Sequence, residues 1–266
     1  MAENEKLPLA GRRDEDLPGH WLLARLGKRV LRPGGLELTT RLLAAGKVTG
    51  ADVVELGPGL GRTARDIVAL RPRSYVGVDD TAAATQSVRD VVAPCGGRVI
   101  VADAASTGLA DASADVVVGE AMLTMQTDKA KRAIVDEAYR VLRPGGRYAI
   151  HELGLTPDSV DAEAKDDIRR ALARSIKVNA RPLTVAEWTE LLSASGFEVV
   201  STDRAPMALL NPRRVVADEG VVGALRLVKN VLLNGAARKR VLAMRRTFDE
   251  HKDALTAVAI VGVRPE

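Results

Sequence analysis

Glu55, Gly57, Gly59 and Gly61 stand at alternate positions in ADVVELGPGLGRTA, residues 51–64. Glycine adopts φ > 0 freely and lets a ligand approach the backbone. A strand that ends in such a turn before a helix also leaves N–H groups unpaired at the helix start. The turn is therefore a candidate ligand cradle. A dinucleotide fingerprint, G-x-G-x-x-G, would need its third glycine at position 62, where the chain has Arg62. Glu55 would repel a pyrophosphate but attract ammonium and sulfonium charge. Asp79 and Asp80 close a second apolar run, SYVGVDD, and Asp103 with Ala104 closes a third, RVIVADA. Asp79 follows the first glycine at about the 20-residue spacing at which an acid meets ribose hydroxyls in nucleotide-binding α/β folds. Asp80 is the candidate N-cap of the next helix, and the two roles are exchangeable. Asp103 can accept from an exocyclic amine beside the small Ala104, with helix capping as its competing role. Farther on, Glu120, His151 and Glu152 are acids and a histidine able to take a proton.

These side chains need a frame that brings them to one edge. Apolar runs at 51–56, 74–79, 98–102, 114–119 and 147–153 alternate with helical spacing, notably at 81–93 and 127–142, and Arg143-Pro144-Gly145-Gly146 stops the last of these helices. The alternation predicts a parallel sheet with helices on both faces, whose carboxyl ends carry Glu55, Asp79 and Asp103. Residues 197–202 and 257–263 supply two further strands. Residues 18–46 read as two helical pieces across a Pro-Gly-Gly break, a lid with His20 and Trp21 as wall residues. Residues 1–17 read as a flexible arm and 18–266 as a single domain with helical insertions at 156–182 and 205–253.

With 28% charged and 46% apolar residues in 266, and no apolar run long enough to span a bilayer, the composition is that of a globular chain with one substantial core. The first 20 residues lack a secretory leader pattern, so a cytoplasmic location is expected. Cys95 is the single cysteine, which excludes an internal disulfide, and it stands away from any histidine cluster, so neither a metal nor a nucleophilic role is expected. The net charge of +4 hides a basic C-terminal third, from Arg213 to Arg246. That region suits an anionic substrate, a nucleic acid or a lipid surface, but no aromatic residues are interleaved for base stacking, so a solvated helix face is the preferred reading.

Taken together, ELGPGLGRTA, YVGVDD, the ADA after the third strand, ADVVVGEAM and YRVLRPGGRYAIHEL resemble the class I, Rossmann-like S-adenosylmethionine-dependent methyltransferases. The resemblance covers roughly residues 36–204 and implies a doubly wound seven-stranded sheet with its last strand antiparallel. By that similarity Glu55, Gly57, Gly59 and Gly61 hold the methionine part of S-adenosylmethionine, Asp79 the ribose, and Asp103 with Ala104 the adenine. Residues 119–121 would flank the methyl group. The roughly 50 residues between the last two strands depart from the short hairpin common in the family.

Transfer from a sulfonium is a displacement with an activated donor, so alignment and exclusion of water matter most. His151 and Glu120 are the expected catalytic pair where a hydroxyl must lose its proton, Glu120 having the cofactor's ammonium as its rival partner. The GEAM after strand four departs from the Asn/Asp-Pro-Pro-aromatic motif of base and glutamine-amide methyltransferases. No placed cysteine suits attack on a pyrimidine, and no Asp/Asn cluster suggests magnesium. A small-molecule or lipid-like acceptor and a homodimer are expected; nucleic acid is disfavoured. The alternatives are an RNA methyltransferase using the basic insertion, a non-catalytic S-adenosylmethionine-binding protein, and, last, a nicotinamide dehydrogenase.

Overall fold

The computed structural model describes residue 9 and residues 11–266. In chain order, β1 (Asp52–Leu56), β2 (Ser74–Asp79), β3 (Arg98–Val101), β4 (Ala114–Glu120) and β5 (Leu142–Leu155) are followed by β6 (Leu183–Thr184), β7 (Glu198–Pro206) and β8 (Leu255–Val263). They form one sheet in the order β3-β2-β1-β4-β5-β8-β7, with β6 as a short extra partner of β5. β1 to β5 run parallel, whereas β8 is antiparallel to both β5 and β7. The expected seven strands and antiparallel closing strand are present, and β6 adds an eighth. β5 begins five residues earlier than its spacing predicts, because Leu142 already pairs with Ala114 and the register shifts between Ala114 and Val116.

Period two in VVV of β4 distributes its side chains to two cores. Val116 and Val118 join Leu38, Leu42, Leu43 and Ile67 from α2 (Gly35–Ala45) and α3 (Arg62–Ala69). Val117 joins Ile134, Val135, Trp188 and Leu192 from α5 (Asp128–Val141) and α7 (Val185–Ala194) on the other face. α4 (Ala82–Val92) packs beside α3, on the face of the first core. A third apolar cluster draws on α1 (Gly19–Arg25), α6 (Ala162–Ile176), α8 (Pro212–Leu233) and α9 (Gly235–Glu250), with Leu22, Leu172, Leu227 and Met244 among its members. Both expected insertions are thus helical, and they share one core with the N-terminal helix.

Two expectations are corrected here. Of the predicted lid, only α1 and the loop after it face a cavity; α2 lies against the sheet, because Leu38, Leu42 and Leu43 recur at helical spacing and are buried there. Of the predicted flexible arm, residues 1–8 and 10 lie outside the described residues, and residues 11–17 are docked. Leu17 is fully buried, and Arg240 donates to the carbonyls of Asp14 (2.7 Å) and Leu17 (2.6 Å). Arg25 donates to the Asp14 carboxylate at 2.8 Å. Among the described residues no helix is long and apolar enough to cross a membrane.

Candidate functional site

The sheet's carboxyl edge opens into a cavity of about 530 Å³. Its floor is the turn after β1, where Gly57 (φ 65°), Gly59 (54°) and Gly61 (73°) all take the left-handed conformation that glycine alone adopts without strain. Gly57 and Gly59 line the cavity. Gly61 does not: it is the N-cap of α3, and a Cβ there would point at Val88 and Val91, so its expected contact with a ligand gives way to a role in starting the helix.

Glu55, Asp79, Asp80, Asp103 and Ala104 all line this cavity. Glu55 is buried and accepts from the Tyr75 hydroxyl at 2.6 Å. Burial pushes its carboxyl up to about 8, with the nearby Glu120 adding to the rise while the Tyr75 bond and Arg32 oppose it. Gly77 makes that bond accessible, since a Cβ there would stand 3.1 Å from the Tyr75 hydroxyl. A glycine inside the strand YVGVD was the available sequence signal for this close approach.

Asp79 accepts from the N–H of Gly59 (3.2 Å) and of Thr81 (2.9 Å), so one carboxylate ties the glycine turn to the start of α4. Burial raises its pKa, partly offset by these two bonds. The capping expected of Asp80 is not made: Thr81 is the N-cap of α4, without a side-chain cap bond, and Asp80 accepts the Thr81 hydroxyl at 2.9 Å. Asp103 is exposed and accepts from Ala105 N–H at 2.7 Å, which holds the loop at the cavity edge.

Glu120 lies at the end of β4, across the ladder from His151 on β5. Its carboxylate accepts from Arg32 Nη1 (3.0 Å), the Thr39 hydroxyl (2.5 Å) and the Thr63 hydroxyl, and pairs with His151 Nδ1 (2.8 Å). Burial alone would raise Glu120, but Arg32, His151 and Thr39 together hold it down to about 2. Arg32 also meets Asp66 at 2.8 Å, so α2, α3, β4, β5 and the loop before α2 converge on one buried ion cluster.

The expected catalytic role of His151 is corrected by this cluster. The ring is fully buried and does not line the cavity; its Nε2 accepts the N–H of Gly34 at 3.0 Å. With Nε2 an acceptor, the neutral ring carries its proton on Nδ1 and donates to Glu120. Both nitrogens are thus engaged, Nε2 with the Pro33-Gly34 loop and Nδ1 with Glu120. Glu120 does line the cavity, but as a fully engaged anion rather than a waiting base. Glu152 accepts three backbone N–H groups, from Met122, Leu123 and Thr124, and the Thr124 hydroxyl, so it shapes the turn after β4. That turn passes through Ala121, at φ 54° a strained conformation for a residue with a Cβ.

Of the far wall, only His20 and Trp21 were expected from the sequence. Trp21, Leu31, Met125, Ile176, Met207 and Phe248 come from α1, its following loop, α6, α9 and two connections, and they make an apolar chamber continuous with the polar rim. His20 lines it too, 4.8 Å from the Trp21 ring centre, and burial lowers it to about 4, so it stands there as neutral imidazole. Among the described residues no group of three or more His, Cys, Asp or Glu could hold a metal ion.

The chain was compared with known proteins. Residues 54–150 match the family model described as a methyltransferase domain. A Haemophilus influenzae protein, named only "uncharacterized protein", is 31% identical over 251 residues, covering 92% of this chain and 98% of that one. A "probable S-adenosylmethionine-dependent methyltransferase" of Mycolicibacterium smegmatis is 34% identical over 160 residues, 59% of this chain and 56% of the relative. Among solved structures, the MccD protein superposes with a TM-score of 0.70 at 17% identity, covering 89% of this chain and all of that one. Phosphoethanolamine N-methyltransferase 2 of Haemonchus contortus, in complex with phosphomonomethylethanolamine and S-adenosylhomocysteine, gives a TM-score of 0.70 at 17% identity over 99% of this chain and 60% of that one. These last two likenesses are of fold, and the chain spans under two thirds of the length of the two named methyltransferases. The strand-end acids, the glycine turn between β1 and α3 and the matched region agree: residues 54–150 are a methyltransferase domain of the S-adenosylmethionine-dependent kind, in a chain with the Rossmann-like fold of such enzymes.

Proposed function

We propose that this methyltransferase acts in the cytoplasm on a small, largely apolar acceptor held in the chamber between the sheet's carboxyl edge and helices α1, α6 and α9. The observation that carries the reading is the continuity of one cavity, with acids and glycines at one end and Trp21, Ile176, Met207 and Phe248 at the other. S-adenosylmethionine, when bound, supplies an electrophilic methyl on sulfonium. Glu55 and the backbone of Gly57 and Gly59 would take its methionine part, Asp79 its ribose, and Asp103 with Ala104 its adenine edge. Glu120 keeps negative charge fixed at the end of β4, without leaving its partners. The apolar wall orients the acceptor and excludes water.

Arg32 at the rim is paired with Glu120 and Asp66, and Arg62 lies 3.5 Å from Asp66, so acids already face these cations. That favours an uncharged acceptor over a phosphorylated one. The test is release of S-adenosylhomocysteine with a panel of acceptors. Turnover with apolar phenols or lipid-soluble hydroxyl compounds is expected, and turnover restricted to phosphorylated amines or RNA would refute the reading. Cofactor titration without any turnover would instead assign a non-catalytic binding protein.

Asp79→Ala removes the ribose acceptor and the tie between Gly59 and Thr81. Affinity for S-adenosylmethionine is expected to fall by about 1–3 kcal/mol, read by calorimetry. Affinity equal to the parent would mean that the ribose site lies elsewhere.

A further inference from the structure

The outer side of α8 and α9 carries residues that the cavity does not use. Val221, Leu225, Val228 and Leu232 recur at intervals of four, three and four, so they form one stripe along α8. They are 65, 65, 52 and 60% exposed, while Ala224 and Leu227 of the same helix are buried in the third apolar cluster. Gly220, at φ 72° and ψ 170°, breaks the helix just before the stripe begins. Val222 and Leu233 extend the stripe at 74 and 76% exposure. An exposed apolar stripe of this length marks a surface that is covered by something else.

Charge decides what covers it. Between Glu219 and Asp249 the chain has no acidic residue. Arg226, Lys229, Arg238, Lys239, Arg245 and Arg246 in that interval are exposed, whereas Arg240 is turned inward onto Asp14 and Leu17. A second copy of the chain would set these cations against one another. An RNA would pair with the cations but leave the valines and leucines in water, and residues 213–247 contain no aromatic side chain on which a base could stack. An anionic bilayer satisfies both the stripe and the charge.

We propose that the outer faces of α8 and α9 dock the protein on anionic phospholipid bilayers, the Val221–Leu232 stripe entering the headgroup–acyl boundary and the six cations lying among the phosphates. The attachment is peripheral, since no described helix can span a membrane. α9 links this surface to the chamber: its inner side gives Met244 and Phe248 to the cavity wall, and its outer side gives Arg245 and Arg246 to the surface.

Sedimentation with vesicles tests this without cofactor or acceptor, so its outcome is separate from that of the methyl-transfer reading. The full chain is expected to bind vesicles of equal parts phosphatidylserine and phosphatidylcholine, to ignore phosphatidylcholine alone, and to be released by salt. Leu225→Glu with Leu232→Glu, and separately Arg226→Glu with Lys229→Glu, should each weaken partitioning by about tenfold or more. All four positions are exposed and outside the cofactor site, so S-adenosylmethionine affinity and the unfolding midpoint should stay at parent values. Absence of binding to the anionic vesicles overturns the proposal, as does binding that survives the leucine pair. A dimer in lipid-free solution that the leucine pair dissociates would assign the stripe to a second copy. RNA retention lost with the Arg226/Lys229 pair but not with the leucine pair, in a protein that ignores vesicles, would assign it to RNA.

Discussion

Arg32→Met is expected to destabilise the protein by about 3–5 kcal/mol, the range for removing one partner of a buried ion pair. Arg32 is 4% exposed and answers two carboxylates, Glu120 and Asp66, neither of which can reach water freely. Without it, Glu120 keeps only its hydroxyl donors and His151, and the loop of Pro33 and Gly34 loses one of its two attachments to the sheet. Denaturant unfolding of Arg32→Met, Glu120→Gln and the double variant is the measurement. The double variant should lose less than the sum of the two single variants, because neutral glutamine leaves no orphaned charge at position 120. Additive losses would mean that the two side chains do not act on one another. The same cluster sets an acid limit. Glu120 is held at about 2 against an ordinary 4.5, so its contribution is complete above pH 4.5 and disappears as pH falls toward 2. In Arg32→Met that loss should begin at higher pH.

Glu55→Gln is expected to cost about 1.5–3 kcal/mol of S-adenosylmethionine affinity, as for a charge-assisted hydrogen bond. It should also abolish a proton release that the parent shows. With its carboxyl near 8, Glu55 carries a proton at pH 7 when no ligand is bound, whereas a ligand ammonium beside it favours the carboxylate. Binding therefore expels close to one proton per site at pH 7. Calorimetric enthalpies of the parent should differ between phosphate and Tris buffers, and those of Glu55→Gln should not. Parent enthalpies that are independent of buffer would place the ammonium away from Glu55. The linkage has the opposite sign for the ligand-free protein. Between pH 4.5 and 8 the folded form holds a proton that the unfolded chain has lost, so stability falls as pH rises through that window.

Much of the frame was legible because it rests on local pattern. Apolar runs ending in glycine or acid gave β1 to β4, and the Pro-Gly-Gly stops bounded the helices around them. The acids at the strand ends reached one cavity because a parallel sheet puts all its carboxyl ends on one edge. What escaped was set by contacts between distant segments. His151 looked like a free histidine at a strand end; its Nε2 is taken by Gly34, 117 residues earlier, which no periodicity reveals. Arg32 was legible only as part of a helix break, yet it organises the ion cluster. Asp79 and Asp80 are adjacent and chemically alike, so only backbone direction could tell which of them ties the glycine turn to Thr81. Beyond His20 and Trp21, the apolar wall draws single residues such as Ile176 of α6 and Phe248 of α9, each of which reads as ordinary core spacing within its own helix.

The place of β8 in the sheet has a consequence for synthesis. Its residues, 255–263, fill the slot between β5 and β7, and all but the last are buried. While the ribosome is still making α8 and α9, β5 has one naked edge and β7 has no neighbour at all. Chains folding from the N-terminus onward would therefore hold an open seam until residues 255–263 emerge. Nascent protein stalled before position 255 should be a strong client for chaperones that cover unpaired strands.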